Sequence, residues 1–337
     1  MRIDQMLRIA LAFAPVLLFL AALRVLDSYK LVSLRMVAAA LAAGAMAAGA
    51  CYGVNAAVFQ HYQENRDLYI HFGAPVVEEL AKGAFWIFLI ATARVAFMVD
   101  SAICGFAVGA GFALVENVYY LQALEDRGLG IWLLRGFGTA VMHGGVAAIG
   151  ALISVYLSES RQWRGARQFA PGLAAATILH SLFNQGALSP AGSLVAAVVV
   201  LPLVFTIVFY FSERSLHRWL GGKLDQDIEM IAMIASGEFK DTPQGAYLMS
   251  LNDAFPPEVR GDMLTLLHLT LEMSARAKGD LMRREAGLEV LPDPALESHF
   301  KELRYLEKSI GPTGMLAVRP LLSRTPRDLW EIHHLGR

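Results

Sequence analysis

The chain has 337 residues, of which 55% are hydrophobic and 18% charged, whereas roughly a quarter of the residues in soluble domains are charged. This composition excludes an ordinary soluble domain, and the formal net charge of -1 excludes the basic face of a nucleic-acid-binding protein. Cys51 and Cys104 lie in apolar stretches without a CxxC spacing, which excludes a disulfide framework and a thiolate metal site.

Charged residues are distributed unevenly along the chain. Residues 1–212 contain 24 Asp, Glu, Lys and Arg residues, while the shorter remainder, 213–337, contains 35. The first part has few enough charges to lie in the bilayer, and the second has enough charges to lie in water. We predict a transmembrane domain over 1–212 and a helical cytoplasmic domain over 213–337, whose expected role is docking of an unknown partner or regulation.

Apolar segments long enough to cross a bilayer recur in the first domain. A spanning helix needs about 20 mostly apolar residues, because the hydrocarbon core is about 30 Å thick. The predicted fold is an all-α, polytopic membrane helix bundle of about seven spans, followed by the soluble helical domain. The spans are predicted over residues 6–23, 36–59, 75–97, 101–122, 133–157, 169–188 and 191–211, and soluble helices over 224–235, 258–285 and 295–309.

Positive residues in the loops predict the orientation of the spans, because Lys and Arg are retained on the cytoplasmic side. In the seven-span arrangement these residues fall in the loops of one side, which places the N-terminus outside and the C-terminus in the cytoplasm. The residues are Arg24, Lys30, Arg35, Arg94, Arg161, Arg164, Arg167, Arg214, Arg218 and Lys223.

Span three opens with a run of ionisable residues, Glu78-Glu79-Leu80-Ala81-Lys82. Such side chains are unfavourable inside a spanning helix, so each needs a partner or a function. Lys82 follows the two glutamates by four and three residues, so it can pair with either. Adjacent carboxylates in a poorly solvated site do not both ionise readily, which suits one of them to be a general base.

Three further spans carry polar groups at a similar depth. Glu116 lies near the outer end of span four, His143 stands in span five, and His180 precedes Asn184 by four residues in span six. With Arg135 at the outer interface, the rise of about 1.5 Å per residue places His143 about 12 Å below it. One shared cavity in the outer half of the bilayer is expected to contain Glu78, Glu79, Glu116, His143 and His180.

Each group also has a purely structural explanation. Glu79 and Lys82 can form an intramembrane ion pair, Glu116 can bond to a neighbouring helix, and His143 can be a packing residue. Five such groups on four helices at one depth are better explained by a common site.

Two hydrolytic chemistries are compatible with these residues. In the first, His143, His180 and Glu116 hold a zinc-like ion whose fourth position is water, and one glutamate of the 78–79 pair is the base. In the second no metal takes part. A glutamate then activates water, a histidine assists proton transfer, and Asn184 donates a hydrogen bond to the developing oxyanion.

The order of the motifs resembles that of the PrsW-type intramembrane proteases, relatives of the CAAX prenyl endopeptidases. CAAX enzymes have Glu-Glu-x-x-x-Arg and Phe-x-x-x-His where this chain has Lys82 and Glu116, which favours the PrsW branch. The motifs extend over about residues 75–184 and are Glu78-Glu79-x-x-Lys82, Phe112-x-x-x-Glu116-Asn117, His143 and His180-x-x-x-Asn184.

The resemblance implies hydrolysis of a peptide bond in a membrane-anchored protein, in some members a single-span anti-sigma factor cleaved from its outer side. It implies that Glu78 and Glu79 supply the base and that Glu116, His143 and His180 form a metal or proton-transfer centre. It also implies a bacterial inner membrane. Because members of the family are called both metalloproteases and glutamic proteases, Zn²⁺ and a metal-free mechanism both stay open.

Two other functions use the same residues differently. In a proton- or ion-coupled transporter the glutamates and histidines would form an ion relay, and inverted repeats would support that function. The sequence shows no convincing pair of matching halves. An inactive scaffold would bind single-span partners through its small-residue faces, and its phenotype would survive Glu78→Gln.

Overall fold

The structure is a computed structural model that describes residues 3–61, 63–123, 128–322 and 325–335. These residues form helices and no β-strand, which confirms the predicted all-α class. Two compact units, Met1–Glu213 and Arg214–Arg337, divide the chain. The long helices of the first unit are α1 (Ile3–Leu26), α2 (Leu34–His61), α3 (Ala74–Ala91), α4 (Met98–Ala123), α5 (Leu129–Ser160), α6 (Ala166–Asn184) and α7 (Ala191–Ser236), the last of which contains the boundary.

Among the described residues, five helices are long and apolar enough to cross a membrane, namely α1, α2, α4, α5 and α7. The other two helices, α3 and α6, have 18 and 19 residues, and α3 is preceded without a break by helical turns from Arg66 to Gly73. Both end before the ends of their predicted spans, 75–97 and 169–188. Helix α3 ends shortly before Ala93 and α6 ends shortly before Gly186, and both Ala93 and Gly186 have a positive φ. Seven spans therefore remain a prediction, with α3 and α6 as the helices in question.

Helix α7 is longer than predicted. The sequence predicts a span over 191–211 and a separate helix over 224–235, whereas the structure continues one helix through both to Ser236. No proline lies between Pro202 and Pro243, so nothing in this stretch removes a helical hydrogen bond. The helix ends where Gly237 adopts a left-handed conformation.

Helix α4 forms the centre of the first unit and is buried from Val99 to Ala113. At glycine positions, the backbones of the neighbouring helices α2 and α5 lie in direct contact with that of α4. A Cβ added to Gly44 of α2 would lie 1.8 Å from the carbonyl oxygen of Val108, and one added to Gly109 would lie 2.1 Å from that of His143. Such contacts are typical of membrane helices, which associate through close backbone packing. They hold α2 and α5 firmly against α4.

The Gly44→Ala variant is expected to destabilise the first unit by about 1–3 kcal/mol, because the new methyl group has no room in the contact between α2 and α4. The matched control is Gly49→Ala on the same helix, where an added Cβ meets nothing within 4 Å. Thermal unfolding in detergent, followed by circular dichroism, measures both. Equal midpoints for the two variants would contradict this packing.

The described residues of the second unit form four further α-helices, which pack around an apolar core. They are α8 (Pro243–Ser250), α9 (Pro257–Glu285), α10 (Leu296–Val318) and α11 (Pro326–Leu335). The predicted helices over 258–285 and 295–309 are confirmed, although α10 extends further through a kink at Gly311. Buried core residues include Met263, Leu266, Leu267, Met273, Ala277, Leu306 and Ile310.

A buried group of charges joins three helices of the second unit. Lys278 of α9 places its Nζ 2.7 Å from Asp227 Oδ2 and 3.0 Å from Glu331 Oε1 on α11. Ser274 Oγ donates to Glu331 Oε2 at 2.6 Å. Burial removes water from Glu331 and raises the pKa of its carboxyl from the ordinary 4.5 to about 7.

The stability of this unit is expected to fall as the pH rises from about 5 to about 7. In that window the folded state holds a proton on Glu331 that the unfolded chain has lost, so deprotonation favours unfolding by about 3 kcal/mol. Hydrogen exchange of α11, corrected for intrinsic rates, measures the effect. The Glu331→Gln variant should lose this pH dependence, and a wild type without it would refute the assignment.

Candidate functional site

The residues singled out in the sequence lie at the same end of their helices. Helix α3 begins there, α4 ends there, the regular part of α5 begins there, and α6 ends there. The side chains come from the first turns of α3 and of Val141–Ser160 and from the last turns of α4 and α6. They are Glu78, Glu79, Lys82, Glu116, His143, His180 and Asn184.

Glu79 is the buried centre of the polar network. Its side chain is 1% exposed, and its Oε1 accepts a hydrogen bond of 2.6 Å from Lys82 Nζ. The same oxygen lies 2.8 Å from His180 Nδ1. Because a carboxylate accepts, Nδ1 of His180 carries the hydrogen and Nε2 keeps a free lone pair. Of the two pairings that the spacing allows, Lys82 therefore makes the one with Glu79.

His143 links Lys82 to Glu116. Lys82 Nζ lies 3.0 Å from Nδ1 of His143, and the ammonium group can only donate, so Nδ1 accepts. Nε2 then carries the hydrogen and donates to Glu116 Oε2 at 2.8 Å. Phe112 closes this side of the network, since Lys82 Nζ lies 4.3 Å from its ring centroid. The two histidines thus have opposite tautomers in this arrangement.

Glu78 points to a more accessible part of the site than Glu79 does. Its side chain is 16% exposed, and its Oε2 lies 3.8 Å from His180 Nε2. Its Oε1 accepts a long hydrogen bond of 3.5 Å from Asn55 of α2, whose own oxygen accepts from the Tyr69 hydroxyl at 2.7 Å. Neither Asn55 nor Tyr69 was among the site residues predicted from the sequence. An asparagine within the apolar span 36–59 was the available signal for the first.

Glu116 has the most exposed carboxylate of the three glutamates, at 27%. Its Oε1 forms an ion pair of 3.3 Å with Arg135, a residue predicted only to mark the membrane interface. The Nε atom of Arg135 also donates to Asn117 Oδ1 at 3.1 Å. In turn, Asn117 donates to the carbonyl oxygen of Ala12, which connects the site to α1.

Asn184 has a different partner from the one predicted. Its Nδ2 donates to the carbonyl oxygen of Ile70 at 3.1 Å. Ile70 belongs to a π-helical turn, Tyr69–Gly73, that leads into α3. This bond uses one of the two Nδ2 hydrogens and gives Asn184 a role in holding that turn, while the second hydrogen stays available for the predicted donation to an oxyanion.

One group of three residues in the described chain can hold a metal ion. It consists of Glu78, His143 and His180, whose ligand atoms lie within 4.8 Å of one another. The predicted set had Glu116 in place of Glu78, and Glu116 instead contacts His143 Nε2. The donor chemistry fits Zn²⁺, because two imidazole nitrogens and one carboxylate oxygen form a common catalytic zinc set.

The two histidines are prepared for a metal to different degrees. His180 donates its Nδ1 hydrogen to Glu79 and leaves Nε2 free, which is the usual arrangement of a metal-bound histidine. His143 would have to release the Nε2 hydrogen that it shares with Glu116, and metal binding to histidines commonly displaces protons in this way.

The chain is similar to one known protein family in particular. A family model described as PrsW family intramembrane metalloprotease matches residues 32–211, which is more than half of the chain and includes every site residue described above. No curated protein and no solved structure matches the chain.

Proposed function

The chain belongs to the PrsW family of intramembrane metalloproteases, and we propose that Glu78, His143 and His180 form its active centre. The observation that carries this proposal is the convergence of their ligand atoms within 4.8 Å. They come from α3, α5 and α6, so the fold of the whole first unit is needed to bring them together. A multi-pass membrane enzyme that cleaves a membrane protein needs such a polar centre within its apolar bundle.

These three residues would hold a Zn²⁺ ion and leave its fourth position open to water or substrate. A bound ion of this kind polarises the scissile carbonyl and makes water a stronger nucleophile at neutral pH. The set replaces the predicted Glu116, His143 and His180, because Glu78 Oε2 faces the free lone pair of His180.

Glu116 would accept the proton of the attacking water. A general base must reach both water and substrate, and Glu116 is 27% exposed whereas Glu79 is 1% exposed. Once His143 Nε2 has released its hydrogen to bind the ion, the ion pair between Glu116 Oε1 and Arg135 still holds the carboxylate at the edge of the centre. This assignment differs from the prediction that the 78–79 pair supplies the base.

Glu79 and Lys82 would be positioning residues. Glu79 accepts from His180 Nδ1 and so fixes both the tautomer and the orientation of that ring. Lys82 neutralises Glu79 and contacts His143, which fixes the second ring through the same ammonium group. Neither side chain has access to water or substrate, since both are buried.

The substrate would be a single-span membrane protein, such as an anti-sigma factor, cleaved near the outer face of a bacterial inner membrane. Two observations support this location. The site lies at the helix ends next to the loops preceding α3 and following α4 and α6, which the positive-residue distribution assigns to the outside. The opposite loops carry most of the loop arginines and lysines, whereas Arg66 and Arg127 are the ones in the loops on the side of the site, so the N-terminus would be outside and the C-terminus cytoplasmic.

A survey of new N-termini in membrane proteins tests the proposal. Cells would carry the wild type, the Glu78→Gln variant, the His268→Ala variant, or no copy. His268 is the matched control, because it is a half-buried histidine beside Glu272 and belongs to the second unit, whereas the site residues belong to the first. We expect cleavages with the wild type and the control that disappear with Glu78→Gln. A transport defect without any lost cleavage would favour the ion relay.

Removal of metal should abolish cleavage by the purified enzyme in nanodiscs, and Zn²⁺ should restore it. The physical reason is that three ligands alone supply no Lewis acid for the carbonyl. Metal analysis of the wild type and of His180→Ala gives a second readout, with loss of zinc expected in the variant. Full cleavage by a zinc-free preparation would instead support the glutamate mechanism without metal.

A further inference from the structure

Arg135 makes three contacts with consecutive turns of α4. Its Nη2 lies 3.3 Å from Glu116 Oε1, and its Nε donates to Asn117 Oδ1 at 3.1 Å. Its guanidinium carbon lies 3.6 Å from the ring centroid of Tyr120, which is a close cation–π stack. The side chain is 12% exposed, so these contacts replace most of its hydration. Such a charge within a membrane helix bundle needs a function or a strong partner.

The backbone of α5 explains why Arg135 reaches Glu116. Arg135 and His143 are eight residues apart, and in a regular α-helix the turn of about 100° per residue would leave them about 80° apart around the axis. Residues Leu134–Ala140 form a π-helical segment, whose i→i+5 bonds turn the chain less per residue. The segment therefore brings Arg135 closer to the face that carries His143.

The neighbouring residue holds this segment against α1. A Cβ added to Gly136 would lie 1.7 Å from the carbonyl oxygen of Leu11 and 3.1 Å from Cγ of Pro15. Glycine here permits contact between the two backbones, and Asn117 adds a hydrogen bond to Ala12 of the same helix. The position of Arg135 is thus set by packing that does not depend on Glu116.

From these contacts we propose that Arg135 is a positioning residue of the proteolytic centre, acting through Glu116. It binds Oε1 and leaves Oε2 directed at His143 Nε2, so the two oxygens of one carboxylate have separate partners. A guanidinium group suits this role, because its planar fork reaches Glu116 and Asn117 together while its face stacks on Tyr120. The inference rests on the proposed function, in which Glu116 is the base.

A double-mutant cycle with Arg135→Gln and Glu116→Gln tests this role in the full chain in nanodiscs. Arg135→Gln should lower kcat by roughly 10–100-fold, which is the usual effect of removing a supporting partner, with KM little changed. The double variant should be no slower than Glu116→Gln alone, since Arg135 has nothing left to position. Arg135→Lys should recover part of the loss, because the lysine ammonium group can still pair with Glu116 although it lacks the planar fork of the guanidinium group.

A spectroscopic readout does not depend on activity. In metal-free protein labelled at histidine, the ¹⁵N signals of His143 report the bond between Nε2 and Glu116. We expect Arg135→Gln and Glu116→Gln to change these signals in the same direction. Arg94→Gln is the matched control, because Arg94 also faces an aromatic ring, that of Phe88, but lies at the other end of α3. It should leave both the signals and the rate unchanged.

The outcomes separate this inference from the proposed function. The positioning role would be overturned, while proteolysis stands, if the rate loss of the double variant equals the product of the two single losses. It would also be overturned if Arg135→Gln leaves the His143 signals unchanged. If the wild type cleaves no membrane protein although both variants shift the His143 signals together, the proposed function fails. Arg135 would then position Glu116 for another activity of the same site.

Discussion

The His180→Ala variant is expected to cleave substrate more than about 100-fold more slowly than the wild type, because loss of one of three proposed metal ligands should cost more than loss of a supporting partner, which costs 10–100-fold. The side chain supplies the one ring nitrogen at the site that is already free for a ligand, Nε2, which faces Glu78 at 3.8 Å. Its loss also leaves Glu79 with Lys82 as the remaining partner of Oε1. Both the centre and its supporting network therefore lose a member.

Cleavage of a purified single-span substrate in nanodiscs measures this effect, with the zinc content of each preparation determined in parallel. His268→Ala should retain the wild-type rate, because its one described partner is the neighbouring Glu272 in the second unit. Circular dichroism establishes that both variants are folded. A folded His180→Ala protein that cleaves within threefold of the wild type would exclude His180 from the active centre.

Glu79→Gln should have a smaller effect than His180→Ala, although the two residues are in contact. The glutamine oxygen can still accept from His180 Nδ1, so the tautomer is retained while the negative charge is lost. Changes in such supporting partners usually reduce metal affinity or activity by 10–100-fold. The zinc dissociation constant, measured by competition with a chelator, separates this role from that of a base. Glu79 as the base would instead leave zinc affinity unchanged.

Hydropathy and motif order were sufficient to predict the fold class and the family. Long apolar segments form helices in lipid because every backbone group must be bonded within the segment, so α1, α2, α4 and α5 follow directly from composition. Their ends were less predictable. The turns at Ala93 and Gly186 depend on local backbone conformation, and the continuation of α7 depends on the absence of a breaker.

Which of Glu78 and Glu79 is buried and which is accessible could not be predicted from their spacing to Lys82. Lys82 lies three and four residues after them, and both distances permit a pair on an isolated helix. The choice depends on the neighbouring helices, since His180 lies 2.8 Å from Glu79 Oε1 and thereby draws that carboxylate into the buried network. Glu78 then remains at the accessible edge.

Arg135 and Asn55 were missed for a related reason. Regular helical spacing places Arg135 off the face of His143, and the π-helical segment that corrects this has no reliable sequence signal. Asn55 of α2 donates to Glu78 of α3, which lies 23 residues later in the sequence. In contrast, the convergence of Glu116, His143 and His180 followed from the similar depth that the sequence predicted for them in the bundle.

Lys82→Met is expected to destabilise the first unit by about 3–5 kcal/mol, the effect of removing one partner from a buried ion pair. Lys82 is fully buried and contacts Glu79 Oε1 at 2.6 Å and His143 Nδ1 at 3.0 Å. Without its ammonium group, the charge of Glu79 is left in an apolar interior with one histidine as its partner. Chemical denaturation in mixed micelles, followed by tryptophan fluorescence, measures the loss.

The double variant Lys82→Met with Glu79→Leu separates stability from positioning. Replacing a whole buried ion pair by apolar residues of similar volume is often neutral or stabilising, so this protein should recover most of the lost stability. It should remain inactive, because His180 Nδ1 has no acceptor and His143 Nδ1 no donor. Recovery of cleavage together with stability would mean that the pair serves folding alone, whereas recovery of stability without cleavage assigns Glu79 and Lys82 to the orientation of the two histidines.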